Sequence, residues 1–91
     1  MQPEVEITKR GDGNFKATVG IGDGTHHYAR EGLVSVAECL QDAASVLGNE
    51  FSYATVIYDR LRIGSYPVAV MAHQAIALSD ELFTKLSNRR G

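Results

Sequence analysis

The chain has 91 residues, of which 44% are hydrophobic and 22% are charged, and its formal net charge at pH 7 is −2. This size and composition are typical of one small globular domain, so we expect residues 1–91 to form a single α+β domain. A slightly acidic chain is not what a strongly basic nucleic-acid-binding protein requires, and the charge disfavours that class.

Cys39 is the only cysteine, so no disulfide can form within the chain. We expect its thiol to be a half-buried, inert packing group, because neither His nor Lys lies near it in the sequence to lower its pKa. The sequence has no basic segment followed by an apolar one, and it has no long uncharged run. It therefore predicts neither a secretory signal nor a membrane span, and we expect a cytoplasmic protein.

Three segments near the start of the chain alternate between apolar and polar residues, at positions 4–10, 15–21 and 25–30. Turn-forming residues separate them at positions 11–14 and 22–24, and each of these turns contains an Asp-Gly pair. Asp-Gly between alternating segments is a strong hairpin signal. The sequence thus predicts a three-stranded antiparallel meander with one apolar face.

A capped helix is predicted to follow the meander. Ser35 and Glu38 have the spacing of a capping box, and Val34 and Cys39 are placed to form a hydrophobic staple. Gly48 is typical of the residue that ends a helix. The apolar stripe between the caps consists of Ala37, Leu40, Ala44 and Leu47. We expect the rest of the chain to pack around this helix.

Residues 53–63 fit either a strand or a helix. As a strand, the segment is rich in β-branched and aromatic residues, and it places Leu61 and Ile63 inward and Arg60 and Arg62 outward. As a helix, it would place the apolar residues Val56 and Ile63 on the side that faces away from the core. We prefer the strand, although a short apolar run cannot be assigned by periodicity alone.

A long helix is predicted to follow the break at residues 64–67, with Pro67 in its first turn, Lys85, Arg89 and Arg90 near its carboxyl end, and a kink near Ser79 as an alternative. Its core stripe is predicted to contain Val68, Met71, Ala72, Ala75, Ile76, Ser79, Leu82, Phe83 and Leu86. Val70, Ala77 and Leu78 lie off this stripe. A domain this small has no second core to cover them, so the sequence predicts a homodimer that forms through the C-terminal helix.

The predicted fold is an antiparallel sheet in β-β-β-α-β-α order with two helices packed on one face. A meander leading into a helix is similar to the element order of double-stranded-RNA-binding domains and of HicB-type antitoxins. The lysine cluster that the former carry at a helix start has no counterpart here, since the capped helix is acidic. The similarity is one of element order, and it implies no functional residues for this chain.

The histidines do not predict a metal site. His26 and His27 are adjacent on a strand and would point to opposite faces. His73 has Ala69 and Ala77 as its neighbours one helical turn away. Because zinc needs three or four converging ligands, we expect no metal and no cofactor. The sequence contains no poised nucleophile, acid or base, so an enzyme is disfavoured, and a small enzyme with a His-containing pocket is the second alternative.

Two polar strand faces remain as candidate binding surfaces. The candidate binding residues are Tyr58, Arg60 and Arg62 on the fourth strand, and His26, Tyr28 and Arg30 on the third. If these strands are neighbours, the residues form one aromatic and basic patch that faces away from the helices, and we expect no acidic neighbour beside the arginines of the fourth strand. We expect a non-enzymatic regulatory protein, an inhibitor or antitoxin-like subunit for example, that binds a protein partner. The first alternative is a nucleic-acid-binding module that uses the same face.

Overall fold

The structure is a computed structural model that describes residues 2–21, 26–48 and 50–90, apart from the side chains of residues 26, 27 and 88–90. The strands are β1 (Glu4–Gly11), β2 (Asn14–Ile21), β3 (His26–Leu33), β4 (Tyr53–Tyr58) and β5 (Leu61–Pro67). The helices are α1 (Val36–Leu47), α2 (Val68–His73) and α3 (Ala75–Arg90). The α+β class and the antiparallel β1–β2–β3 meander are confirmed.

The five strands form one sheet in the order β3-β2-β1-β4-β5, and the predicted purely antiparallel sheet is wrong. β1 and β4 pair in parallel, whereas the other three pairs are antiparallel. The Thr55 amide donates to the Pro3 carbonyl at 2.9 Å, and the Asp59 amide donates to the Ile7 carbonyl at 2.8 Å. α1 is therefore a crossover that leads the chain from β3 past the meander to the free side of β1.

The strand preferred for residues 53–63 is confirmed in type, but it is two strands, because the chain reverses at Asp59 and Arg60. These residues have φ values of 49° and 72°. Positive φ at both central residues is the geometry of a two-residue type I′ hairpin. Sequence analysis missed the turn because glycine, which usually occupies the second position, is replaced here by arginine.

The predicted Ser35 N-cap and the Gly48 stop of α1 are confirmed. The Ser35 hydroxyl accepts a hydrogen bond from the Glu38 amide at 3.1 Å, and the helix begins at the next residue. At the other end, Gly48 has a φ of 60° and donates its amide to the Ala44 carbonyl at 2.9 Å. A positive φ costs glycine little, which is why the helix ends there.

The predicted hydrophobic staple at the start of α1 is wrong. The Val34 side chain is 61% exposed, whereas Cys39 is fully buried. Leu33, the last residue of β3, is buried in the core one position earlier. Since adjacent strand residues point to opposite sides, burial of Leu33 directs Val34 toward solvent.

The predicted long helix is broken at Gln74, five residues before the kink that was the alternative. Gln74 has φ −132° and ψ 41°, and it separates α2 from α3. Pro67 is the last residue of β5 instead of a helical residue. The break changes which side of α3 faces the core, so Leu78 is buried whereas Ile76 is exposed.

The core lies on one face of the sheet, where alternate strand residues join the buried faces of the helices in a single cluster. Its most buried large side chains include Val5, Ile7, Val19, Leu33, Leu40, Leu47, Val56, Met71 and Leu82. Ser79 is also buried and donates its hydroxyl to the Ile76 carbonyl at 2.9 Å. Within the described ranges, no helix is both long and apolar enough to cross a membrane.

Candidate functional site: an apolar patch on α3 and a cleft between α1 and α2

The predicted aromatic and basic patch does not form, because its two strands are not neighbours. β3 lies at one edge of the sheet, and β5, which carries Arg62, lies at the other. β2 and β1 separate β3 from β4. The parallel pairing of β1 with β4 accounts for this separation, since it adds the second hairpin to the far side of the meander.

Tyr28 and Arg30 face α1 instead of the helix-free side. The Tyr28 hydroxyl donates to Asp42 Oδ2 at 3.0 Å, and Arg30 Nη1 donates to Asp42 Oδ1 at 2.8 Å. The Asp42 side chain is only 11% exposed. Its hydrogen bond and negative charge raise the pKa of Arg30 above the ordinary value. These contacts attach the edge strand β3 to α1, while the side chain of His26, the third predicted residue of β3, lies outside the described residues.

Arg62 lies on the helix-free face of the sheet and has an acidic neighbour, contrary to prediction. Its Nη2 atom is 3.1 Å from Glu4 Oε2. On the same face, Gln2 Nε2 donates to Thr55 Oγ1 and to Ser65 Oγ, both at 2.8 Å. Pairing of β1 beside β4 brings the first residues of the chain within reach of β5, a contact that no local pattern could indicate.

Tyr58 and Arg60 do not project with Arg62. Tyr58 lies on the helix side, where its ring meets the ring of Phe83 edge to face, with centroids 6.0 Å apart and an interplanar angle of 72°. Arg60 occupies the turn between β4 and β5 and is exposed. The three residues predicted to share one face are therefore distributed over two faces and a turn.

The α3 patch, defined here as Tyr58, Leu61, Ile76 and Phe83, is an exposed apolar surface on the helix side. Ile76 is 72% exposed and Phe83 is 45% exposed. These two residues are seven positions apart, two helical turns and about 10 Å along α3, so they lie on the same side of it. Leu61 is exposed beside Tyr58, its partner across the hairpin. A shallow cavity of 170 Å³ lies between Tyr58 and the end of α3.

Sequence analysis missed the α3 patch because it assigned Ile76 and Phe83 to the core. The signal that could have found them is the phase of the apolar residues after Gln74. Counted from Ala75, the residues at positions 78, 79, 82 and 86 form a complete buried stripe. Ile76 and Phe83 are not needed to complete it.

The α1–α2 cleft is a second concave site, and its volume is 380 Å³. It is lined by Ala44, Gly48, Phe51, Ser52, Val68, Ala69, Ala72 and His73. His73, which sequence analysis considered as a possible pocket residue, therefore does line a cleft. Among these described lining residues, His73 and Ser52 supply the polar side chains.

Cys39 is fully buried, and not half-buried as predicted. Burial, with a further contribution from the negative charges of Glu38 and Asp42, raises the pKa of its thiol to about 11. A thiol that stays protonated near neutral pH is a poor nucleophile and a poor metal ligand. In the part of the chain that the structure describes, no three His, Cys, Asp or Glu side chains converge on a point where a metal ion could bind.

Comparison with known proteins does not assign a function. No protein-family model matches the chain, and neither a curated protein nor a solved structure does. The α3 patch and the α1–α2 cleft are the two candidate sites of this chain.

Proposed function

We propose that the chain is a non-enzymatic regulatory protein that acts by binding another protein, and that the α3 patch is its contact surface. The observation that carries this proposal is the exposure of Ile76 and Phe83 on the same side of α3, with the Phe83 ring in contact with the Tyr58 ring. Association with another apolar surface would remove these side chains from water, which is favourable. Aromatic residues are also enriched where protein contacts contribute most to affinity.

The surroundings of the α3 patch indicate the chemistry of its partner. Arg60 is exposed in the turn next to Leu61, and its charge would be matched by a carboxylate. The partner is therefore an apolar ridge or helix face with an acidic residue at its border. Two of the residues predicted from the sequence to bind, Tyr58 and Arg60, keep that role in this proposal, although the surface to which they belong has changed.

A homodimer is a narrower form of the same proposal, in which a second copy covers the α3 patch. Asp80 follows Ile76 by four residues and precedes Phe83 by three, so it borders the same side of α3. Arg60 and Asp80 thus carry opposite charges at the border of the α3 patch. Two copies related by a twofold axis can place Arg60 of one against Asp80 of the other. Of the residues that sequence analysis assigned to this interface, Leu78 is in the core and Val70 is half-buried, while Ala77 is exposed on α3.

Site-specific photocrosslinking in the native host tests the proposal. A photoreactive phenylalanine analogue at position 83 is expected to give a discrete protein adduct, because that side chain would be buried against the partner. The same analogue at Val34, which is also exposed but lies outside the α3 patch, serves as the matched control. An adduct at the mass of two chains would identify the partner as a second copy. Equal yields from both positions, or no adduct from position 83, would refute the proposal.

The alternatives have less support. Nucleic-acid binding was inferred from an aromatic and basic sheet face, and two of its members, Tyr28 and Arg30, contact Asp42 instead. If the captured partner were nucleic acid, nuclease would abolish capture, and binding would weaken steeply with salt. A cytoplasmic location belongs to the proposal as well, because a single buried thiol is compatible with a reducing compartment.

A further inference from the structure

We propose that the α1–α2 cleft binds a small molecule with a single aromatic ring and a carboxylate. This site shares no residue with the α3 patch, so the inference is independent of the proposed protein contact. Its volume of 380 Å³ lies within the range of about 300 to 1,000 Å³ that is usual for ligand sites.

The walls of the cleft fit a flat apolar body. Ala44 of α1 and Ala69 and Ala72 of α2 line it, and their short side chains leave space for a ligand. Ala69 is exposed, so its methyl group borders this space instead of filling the core. Phe51 adds an aromatic ring to the wall, and aromatic rings prefer to pack against other rings, offset or edge to face.

The two polar side chains lie at opposite ends of the α2 wall. The Val68 amide donates to the Ser52 carbonyl at 2.9 Å, which places Ser52 beside the start of α2. His73 is the last residue of α2. His73 lies five positions after Val68, a rise of about 7.5 Å along the helix. A ligand that spans the cleft therefore needs an apolar middle and a polar group at one or both ends.

The polar side chains of the cleft can bind a carboxylate. His73 is the single titratable residue among the described residues that line it, and no Asp or Glu is among them. An imidazole N–H can donate to a carboxylate oxygen, and the Ser52 hydroxyl can donate or accept at the other end. A charged acceptor forms a stronger hydrogen bond with an N–H donor than a neutral one does. An aromatic carboxylate therefore complements the apolar walls and the imidazole.

Nuclear magnetic resonance titration of the full chain, with the alanine methyl groups labelled, tests the inference with benzoate as the probe. A ligand of about nine non-hydrogen atoms is expected to bind in the millimolar range. Saturable shifts are expected at the methyl groups of Ala44, Ala69 and Ala72. Acetate, which lacks the ring, and benzamide, which lacks the charge, are both expected to bind several-fold more weakly.

Two substitutions separate the contributions of shape and chemistry. Ala69→Leu fills the cleft and is expected to weaken benzoate binding about tenfold or more, the effect of a misfit in a small apolar pocket. Ala77→Leu is the matched control, because Ala77 is exposed on α3 away from the cleft. His73→Ala is expected to abolish the preference for benzoate over benzamide. If Ala69→Leu disturbs the fold, as judged from the same spectra, Ala69→Met replaces it.

Three results would overturn the inference. The first is the absence of saturable shifts at the cleft up to about 10 mM benzoate, well beyond the expected dissociation constant. The second is an equal loss of binding in Ala69→Leu and Ala77→Leu. The third is a preference for benzoate that survives in His73→Ala. None of these results bears on the α3 patch, so failure here is distinguishable from failure of the proposed protein contact.

Discussion

Asp42 on α1 accepts a hydrogen bond from Arg30 on β3 at 2.8 Å, although Arg30 was predicted to point away from the helices. Tyr28 donates to the other oxygen of the same carboxylate. Asp42 thus holds an edge strand that has no second neighbour in the sheet. Tyr28 and Arg30, which were predicted to bind a partner, therefore stabilise the fold through Asp42.

Asp42→Ala is expected to lower the free energy of unfolding by about 1 kcal/mol, since it leaves the part-buried Tyr28 hydroxyl without its acceptor, whereas the exposed Arg30 guanidinium can bond to water instead. Urea denaturation measures the change. Gln41→Ala is the matched control, because Gln41 is the exposed neighbour on α1 and its loss is expected to cost less than about 0.5 kcal/mol. Equal destabilisation by both variants would show that the Asp42 contacts do not stabilise the fold.

Ser35→Ala is expected to destabilise the chain by about 1 kcal/mol, because the Glu38 amide at the start of α1 loses its acceptor. The measurement is again the denaturation midpoint in urea. Ser87→Ala, at an exposed position on α3, is the control and is expected to leave the midpoint nearly unchanged. An unaltered midpoint in Ser35→Ala would mean that a hydrogen bond to water stabilises the Glu38 amide as well as the Ser35 hydroxyl does.

Arg60→Gly is expected to stabilise the chain. Arg60 has a φ of 72°, which costs a residue with a side chain about 1–2 kcal/mol. Glycine removes that cost but makes the unfolded chain more flexible, so the net gain is roughly 0.5–1 kcal/mol. Arg62→Gly, on the adjoining strand, is expected to destabilise the chain instead, because glycine weakens a strand interior. Destabilisation by Arg60→Gly would show that the Arg60 side chain itself supports the turn.

Cys39 is expected to make stability fall at alkaline pH. Its pKa rises from an ordinary 9.0 to about 11 in the folded state. Well below pH 9 the thiol is protonated in both the folded and the unfolded state, so stability does not depend on its ionisation there. Between pH 9 and 11 the unfolded chain loses the proton while the folded chain keeps it, and stability falls by up to about 2 kcal/mol.

Urea denaturation of the parent chain and of Cys39→Ala at pH 7.5, 9 and 10.5 measures this effect. Other groups, tyrosines for example, also titrate in this range, so the relevant quantity is the difference between the two proteins. The parent chain is expected to lose more stability than Cys39→Ala as the pH rises above 9. Parallel pH profiles would contradict the assignment to Cys39.

Ile76→Lys is expected to leave folding intact, within about 0.5 kcal/mol for an exposed site, and to abolish self-association through the α3 patch. Sedimentation velocity at tens of micromolar compares it with the parent chain. Val34→Lys is the matched control, because Val34 is an exposed aliphatic residue in another part of the chain. A parent chain that sediments as a monomer at this concentration would reject the homodimer, while the photocrosslinking experiment would still test a different partner.

The sequence by itself determined the elements whose signals are local. The Ser35 cap, the Gly48 stop and the β1–β2–β3 meander were all predictable, because a cap hydroxyl and its amide, or two hairpin strands, lie within a few residues of each other. The β-branched and aromatic content of residues 53–63 favoured a strand over a helix without revealing the turn that divides them. These are interactions whose partners can be identified from spacing alone.

Only the tertiary structure decided where the side chains of those elements point. Parallel pairing of β1 with β4 joins segments about fifty residues apart. The hydrophobic pattern of a strand does not indicate which distant strand it will pair with. The parallel pairing brings Glu4 within reach of Arg62 and separates β3 from the second hairpin. The break at Gln74 likewise moves Ile76 and Phe83 from the predicted core to the surface, since a change of phase in one helix redirects every later side chain. Burial depends on what packs against a residue, and that is set by the whole chain.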